Sequence, residues 1–425
     1  MSARRSRLWV ALLVLVAAVA ALAAVVAWLN VRGEAPVAQG VPAVPASADV
    51  VARGAYLARA GNCVGCHTSI DGEALAGGVG VDTPFGAVYA PNITPDVSTG
   101  IGSWSPSEFW RAMHHGRGKD GRLLYPAFPY PSFARVTRDD SDAIYAYLRS
   151  VKPVVRENRP HALRFPYNTQ AALAVWRALF FKPETFVPDA AQSADWNRGK
   201  YLVQGLGHCA ACHSSRNALG ATSVNAEFAG GLMPDSSWYA PSLANPKEAG
   251  LQGWPRDEVV KLLKTGVSAH ASVSGPMADV VYTSTQYLTE KDLDAMTVFL
   301  AAIPAQEPAP AQLKPAEGAA ITRGAQVYEQ RCVSCHGKQG EGVAGIYPAL
   351  AGNRAVTLSS PNNLVQMIRH GGFAPSTAGN PRPFGMPPLG QALSHDEVAA
   401  VTTYMRQSWG HSASAVSSLE VMRVK

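Results

Sequence analysis

The chain has 425 residues, 47% of them hydrophobic and 16% charged, with a net charge of +6. That length suits two to four domains. The small positive excess forms no concentrated basic patch, which argues against nucleic-acid binding.

The N-terminus comes first. Arg4, Arg5 and Arg7 precede a run from Leu8 to Leu29 with no charged residue. About 20 apolar residues span a bilayer as a helix, and a positive flank stays on the cytoplasmic side. A cleaved signal peptide is the competing reading, but its apolar region usually has about 7–15 residues. The best small-residue cleavage pattern, Ala46-Ser47-Ala48, also lies far beyond the run. Residues 1–48 therefore read as a retained anchor followed by a Pro/Ala/Val-rich tether that lifts the next domain off the membrane.

Cys-x-x-Cys-His then occurs three times, at Cys63–His67, Cys209–His213 and Cys332–His336, and uses every cysteine in the chain. This is the c-type heme attachment signal. Two thiols add across the heme vinyl groups, and the adjacent imidazole is carried under the ring to bind iron. Cys63, Cys66, Cys209, Cys212, Cys332 and Cys335 are the expected attachment points for three hemes. His67, His213 and His336 are the expected proximal ligands. Redox cysteine pairs and zinc sites are the alternatives.

The same plan surrounds each motif. A short helix with Gly and an aromatic residue opens it, at Arg53-Gly54-Ala55-Tyr56, Arg198-Gly199-Lys200-Tyr201 and Arg323-Gly324 with Tyr328. A helix with apolar residues at i, i+3 and i+4 then ends at Gly116, Gly266 or Gly371. Acidic residues open the closing helices, Asp139–Leu148, Glu290–Leu300 and His395–Met405. An opening helix crossing a closing helix over a heme is the class I cytochrome c fold. The expectation is an all-α protein, with three such domains in tandem behind a transmembrane helix. The domains cover 49–152, 193–303 and 318–410. A connecting segment covers 153–192, a linker 304–317 and a tail 411–425, which carries little signal.

A low-spin electron-transfer heme has a ligand on each face of its iron, and a His/Met pair raises its potential. Met386, in the Pro/Gly loop Phe384–Pro388, is the expected distal ligand of the third heme. Met277, in Ser274-Gly275-Pro276-Met277, is the expected ligand of the second, ahead of Met233 and Met296. The first unit has Phe128 at that place, in Leu124–Tyr130. Met113 reads as core, and His115 corresponds to His370. His114 has no counterpart in the other units and is proposed to ligate the first iron, with His115, Met113 or an open iron as alternatives. In class I cytochromes, a proline carbonyl after the heme motif accepts a hydrogen bond from the proximal histidine, and the resemblance to them implies that role for Pro91, Pro241 and Pro348. Gly340–Gly345 formally matches G-x-G-x-x-G, but no strand precedes it, so it reads as coincidence. His161, His208, His270, His395 and His411 have no identifiable partner. No Ser/His/Asp set, carboxylate pair or nucleotide loop suggests an independent substrate site.

In the connecting segment, Thr169–Phe181 is apolar nearly all round. It reads as a helix buried between domains, or else as a docking face for a partner subunit or the membrane surface.

The heme motifs at these spacings, with Tyr89–Asp96, Thr99–Gly102, Asp120-Gly121-Arg122, Leu124–Ala127 and Gly207–His213, resemble the triheme cytochrome c subunit of membrane-bound bacterial dehydrogenases. That group includes alcohol, gluconate, sorbitol and fructose dehydrogenases and the cytochrome partners of some molybdenum hydroxylases. The resemblance implies a non-catalytic electron-transfer subunit on the periplasmic side of the inner membrane. It implies a separate catalytic subunit with a quinone, flavin or molybdopterin cofactor, with or without a small third subunit. Ubiquinone or a terminal oxidase would be the acceptor. Phe128 departs from the sugar and alcohol enzymes and keeps an aldehyde or N-heterocycle dehydrogenase partner open. A free-standing respiratory shuttle and a multiheme peroxidase are the rival functions.

Overall fold

A computed structural model describes residues 2–37, 46–223, 226–234, 237–269, 271–306 and 313–424. Helix α1 (Ser2–Val31) carries the apolar run from Leu8 to Leu29, and none of that run is buried. The first unit holds α2 (Ala48–Ala60), α3 (Cys63–His67), α4 (Pro106–His115), the short α5 (Tyr130–Phe133) and α6 (Arg138–Ser150). Helix α4 is set locally: Ser105 and Glu108 form a capping box, and Gly116 closes the helix at φ 57°. Strands β1 (Gly80–Thr83), β2 (Gly86–Tyr89) and β3 (Ala162–Leu163) form a small antiparallel ribbon. Helix α7 (Gln170–Phe180) follows.

The second unit holds α8 (Ala194–Tyr201), a π-helical turn (Leu202–Leu206), α9 (Ala210–His213), the hairpin β4 (Gly231–Leu232) and β5 (Tyr239–Ala240), α10 (Arg256–Thr265), α11 (Pro276–Thr283) and α12 (Glu290–Ala301). The third holds α13 (Gly318–Arg331), α14 (Val333–His336), α15 (Arg354–Thr357), α16 (Asn362–His370), the hairpin β6 (Gly372–Phe373) and β7 (Gly385–Met386), α17 (His395–Gln407) and α18 (Ser418–Arg423). The molecule is thus mainly helical, with three short ribbons placed in the loops.

The repeated Arg-Gly has a steric cause. Opening and closing helices cross backbone to backbone at the glycine. A Cβ on Gly54 would lie 1.9 Å from the Ala143 carbonyl oxygen, and one on Gly199 would lie 1.9 Å from that of Ala295. On Gly324 it would lie 2.2 Å from the Ala400 oxygen. Only glycine lets the pairs α2/α6, α8/α12 and α13/α17 approach so closely.

The first two units share one apolar core, from Leu57, Ile144 and Leu148 to Leu206, Leu293 and Phe299. They are joined by a reciprocal clasp. Tyr56 of the first donates to Asp292 of the second at 2.5 Å, and Tyr201 of the second donates to Asp140 of the first at 2.5 Å. Each carboxylate is also held by its own unit's arginine, Arg53 on Asp140 and Arg198 on Asp292. The arrangement is an isologous interface within one chain. The third unit has a separate core around Tyr328, Val365 and Val401. It seats on the second through Asn363, whose side chain accepts from the Tyr239 N–H and donates to the Tyr239 carbonyl, each at 2.8 Å. The second unit is therefore in the middle.

Three sequence expectations change. Residues 154–163 do not form a free connector. Asn158 donates to the Thr99 carbonyl, Asn92 donates to the Val154 carbonyl, and β3 extends the first unit's ribbon. The tail is structured: α18 has a capping box and buries Val421 against α17. The last turn of α1 packs directly on α7, so the tether does not lift the first unit away from it. The tether's residues 38–45 and residues 307–312 of the linker lie outside the described residues, as does His270.

Candidate heme sites

Each motif lies on a short helix. In α3, α9 and α14 the histidine ends the turn, the second cysteine immediately precedes it and the first sits one turn back. The three imidazoles share one geometry. Nδ1 of His67 bonds the Pro91 carbonyl at 2.7 Å, that of His213 bonds Pro241 at 2.7 Å and that of His336 bonds Pro348 at 3.1 Å. Nδ1 is the donor, so the tautomer leaves the Nε2 lone pair unprotonated. Burial holds all three histidine pKa values below the ordinary range, against the smaller upward pull of those hydrogen bonds. Neutral imidazole with a fixed tautomer is what an iron ligand requires.

The cysteines discriminate between readings. None is in a disulfide. Burial, then the neighbouring Cys66, pushes the Cys63 thiol up to about 12. Burial and Cys212 do the same to Cys209, to about 12, and burial and Cys335 raise Cys332 to about 11. Redox-active Cys-x-x-Cys pairs need the opposite, a lowered pKa. No His/Cys/Asp/Glu group among the described residues could hold a bare metal ion. The donor sets fit covalent heme.

The first two motifs face each other. Cys66 is raised by burial and also by the charge of Cys212 across the interface. Asn62 accepts from Thr283 of α11 at 2.7 Å, and α11 packs on α3. The ring of His208, just before Cys209, packs edge-on to Phe133 at 5.6 Å. His208 is thus an interface residue, a role its sequence position did not reveal. His411 is also bonded on both ring nitrogens, to the Met405 carbonyl at 2.8 Å and the Gly352 N–H at 3.0 Å. His161 accepts from the Tyr89 N–H at 3.1 Å.

On the distal side, Met386 lies in β7, paired with Gly372, and packs against the third core. Met277 is in the first turn of α11, which follows the N-cap Gly275, where a Cβ would strike the Trp238 ring at 2.7 Å. Met296 is buried inside α12 and Met233 lies in the loop after β4. In the first unit the neighbours on α4 diverge. Met113 points into the core that receives Cys63, Val64 and Phe128. The His114 ring is turned away, stacked on Trp110 at 4.4 Å and beside Ala134. Positions 110 and 114 share a helix face distinct from that of 109 and 113. His114 Nδ1 is nevertheless buried without a hydrogen-bond partner. Burial, then the charge of His115, lowers its pKa to about 4. His115 is buried among Arg177, Arg117 and Arg111.

A cytochrome c family profile matches residues 51–152 and 321–409. The alcohol dehydrogenase (quinone) cytochrome c subunit of Komagataeibacter europaeus is 38% identical over 397 residues, 89% of this chain and 85% of that protein. The chain belongs to the family of dehydrogenase cytochrome c subunits. The fructose dehydrogenase cytochrome subunit of Gluconobacter japonicus is 35% identical over 419 residues, 91% of this chain and 85% of that one. A nicotinate dehydrogenase subunit of Pseudomonas putida is 40% identical over 415 residues, 95% of this chain but 34% of that protein. As a family member, the chain binds covalent c-type heme and carries electrons as a cytochrome subunit.

Proposed function

We propose that the chain carries three c hemes in three tandem class I cytochrome c domains and passes electrons from a separate dehydrogenase subunit to the respiratory chain. The observation that carries this reading is the threefold recurrence of one construction: a Cys-x-x-Cys-His turn whose histidine Nδ1 is held by a proline carbonyl, beneath a glycine-mediated helix crossing. The heme irons supply one-electron chemistry, cycling between Fe(II) and Fe(III). The protein fixes the imidazole tautomer, buries the sites and sets their spacing. Because the second unit sits between the other two, it serves as the relay.

Met277 and Met386 are the distal ligands of the second and third hemes in this account. At the first, Met113 is favoured by its place in the core beside Phe128 and Val64. His114 is the second reading, favoured by its buried, unpartnered Nδ1. Low-temperature magnetic spectra of Met113→Ala and His114→Ala separate them: the true ligand's loss converts one heme of three to high spin, and the other variant leaves all three unchanged. Helix α1 is the membrane anchor, with the heme domains on the periplasmic side and ubiquinone as the acceptor. The partner oxidises an alcohol, sugar, aldehyde or N-heterocycle, with a quinone, flavin or molybdopterin cofactor.

The experiment is detergent extraction from the native membrane followed by affinity capture of this chain. A dehydrogenase subunit should co-purify, and its substrate should reduce the hemes without any added mediator. Capture of the chain alone, with peroxide turnover, would support a peroxidase instead.

A further inference from the structure

Helix α7 takes no part in the Tyr–Asp clasp between units, although Trp176 Nε1 donates to the Leu219 carbonyl of the second unit at 2.9 Å. It is held against the end of α1. Asn30 Nδ2 donates to the Ala174 carbonyl, and Arg177 Nε donates to Asn30 Oδ1, each at 2.9 Å. Arg117 donates to the Asn30 carbonyl at 2.9 Å and to Glu34 at 3.0 Å. Arg177 is 3% exposed, with its guanidinium over Phe181 and Tyr130, so the clamp is rooted in the first unit.

The length of α1 sets the level of this clamp. From Leu8 to Leu29 a helix runs about 33 Å at 1.5 Å per residue, against a hydrocarbon core of about 30 Å. Exposed Trp9 and Trp28 stand near its two ends, where interfacial aromatics belong. Asn30 therefore lies where the chain leaves the bilayer, and α7, hydrogen-bonded to it, lies at the same depth.

The uncovered face of α7 is apolar. Ala171, Val175 and Leu179 form an i, i+4, i+8 stripe, with Val175 48% and Leu179 64% exposed. Phe180 and the preceding Phe165 and Tyr167 widen it, and exposed Lys182 follows the helix. Helix α7 packs on the last turn of α1 through Asn30, which places the patch beside the end of the exposed apolar run. We propose that α7 lies in the interfacial layer of the bilayer that α1 crosses, with Val175 and Leu179 among the lipid chains and Lys182 among the headgroups. This rests on reading α1 as the anchor. It seats the first heme unit on the membrane surface at a fixed height instead of on a swinging tether.

The test uses the full-length heme-loaded protein in lipid nanodiscs. Because the native cysteines are consumed by heme, Leu179→Cys and, separately, Leu15→Cys each give one site for a fluorophore. Quenching by nitroxide-bearing lipids is then read. Both labels should lose most of their fluorescence, Leu179→Cys to a headgroup-level nitroxide and Leu15→Cys to a deep one. Quenching at position 15 with none at 179 overturns the proposal and leaves the anchor standing. No quenching at either removes the anchor and the proposal together. Quenching at 179 in the isolated cytochrome that vanishes in the intact dehydrogenase complex makes the face a protein interface, and overturns the proposal too.

Discussion

Replacing Tyr201 with Phe removes one hydroxyl and nothing else from the clasp between the first two units. That hydroxyl donates to Asp140, a carboxylate 3% exposed, and accepts from the Thr137 N–H at 3.2 Å. Losing a hydrogen bond to a buried charge costs about 1.5–3 kcal/mol. With a urea slope of about 2 kcal/mol/M, a 2 kcal/mol loss moves the midpoint down by about 1 M. Tyr56→Phe should cost less, about 1 kcal/mol, because Asp292 keeps two N–H donors from Arg198, at 2.8 and 2.7 Å. The two clusters share no hydrogen-bond partner, so the double variant should add to within about 0.5 kcal/mol. The assay is urea unfolding of the heme-loaded protein, followed by tryptophan fluorescence and by the heme band. Unchanged midpoints in both variants, or a larger loss for Tyr56→Phe, would refute the clasp.

Gly199→Ala should lower the stability of the second unit by about 2 kcal/mol, since overpacking outweighs the gain in helix propensity; thermal unfolding reads this, and an unchanged or raised midpoint would count against the crossing. Val421→Ala should cost about 2 kcal/mol, confined to the third unit, because the side chain is fully buried under α17; hydrogen exchange should show faster exchange there and not in the first two units. Asp292 gives a pH dependence. Burial opposes its charge, but Arg198 and Tyr56 outweigh that and hold its pKa below the usual carboxylate value. A depressed folded pKa contributes stability above the unfolded value of about 3.9 and loses it as pH falls through the folded pKa. Wild type should therefore lose clasp stability below about pH 4, whereas Asp292→Asn should start lower and show a flatter acid limb in urea titrations; parallel acid limbs would contradict the pairing.

The heme turns, the crossing helices and the proline carbonyls were legible from local pattern, because each depends on residues close in sequence or on a repeated motif. Arg-Gly-x-Tyr occurs in the first two units, while Gln326 takes the Tyr place in the third. That difference marks which units pair, but its meaning needs the partner carboxylates, Asp140 and Asp292, which lie far along the chain. The His114 expectation relied on a missing counterpart in the other units, and its stacking on Trp110 was not legible in the sequence. Apolar composition identified α7 as unusual, while its contact with Asn30 depends on a residue more than 140 positions away. The tail looked weak because α18 buries little more than Val421, and a six-residue helix carries little periodicity.

The central claim is three covalent hemes on one chain. Intact mass of the denatured, full-length protein measures it directly, paired with peptide mapping at Cys63/Cys66, Cys209/Cys212 and Cys332/Cys335. The account predicts a mass increment of three hemes, with each pair modified. An increment of two or fewer, or free thiols at any pair, would contradict it.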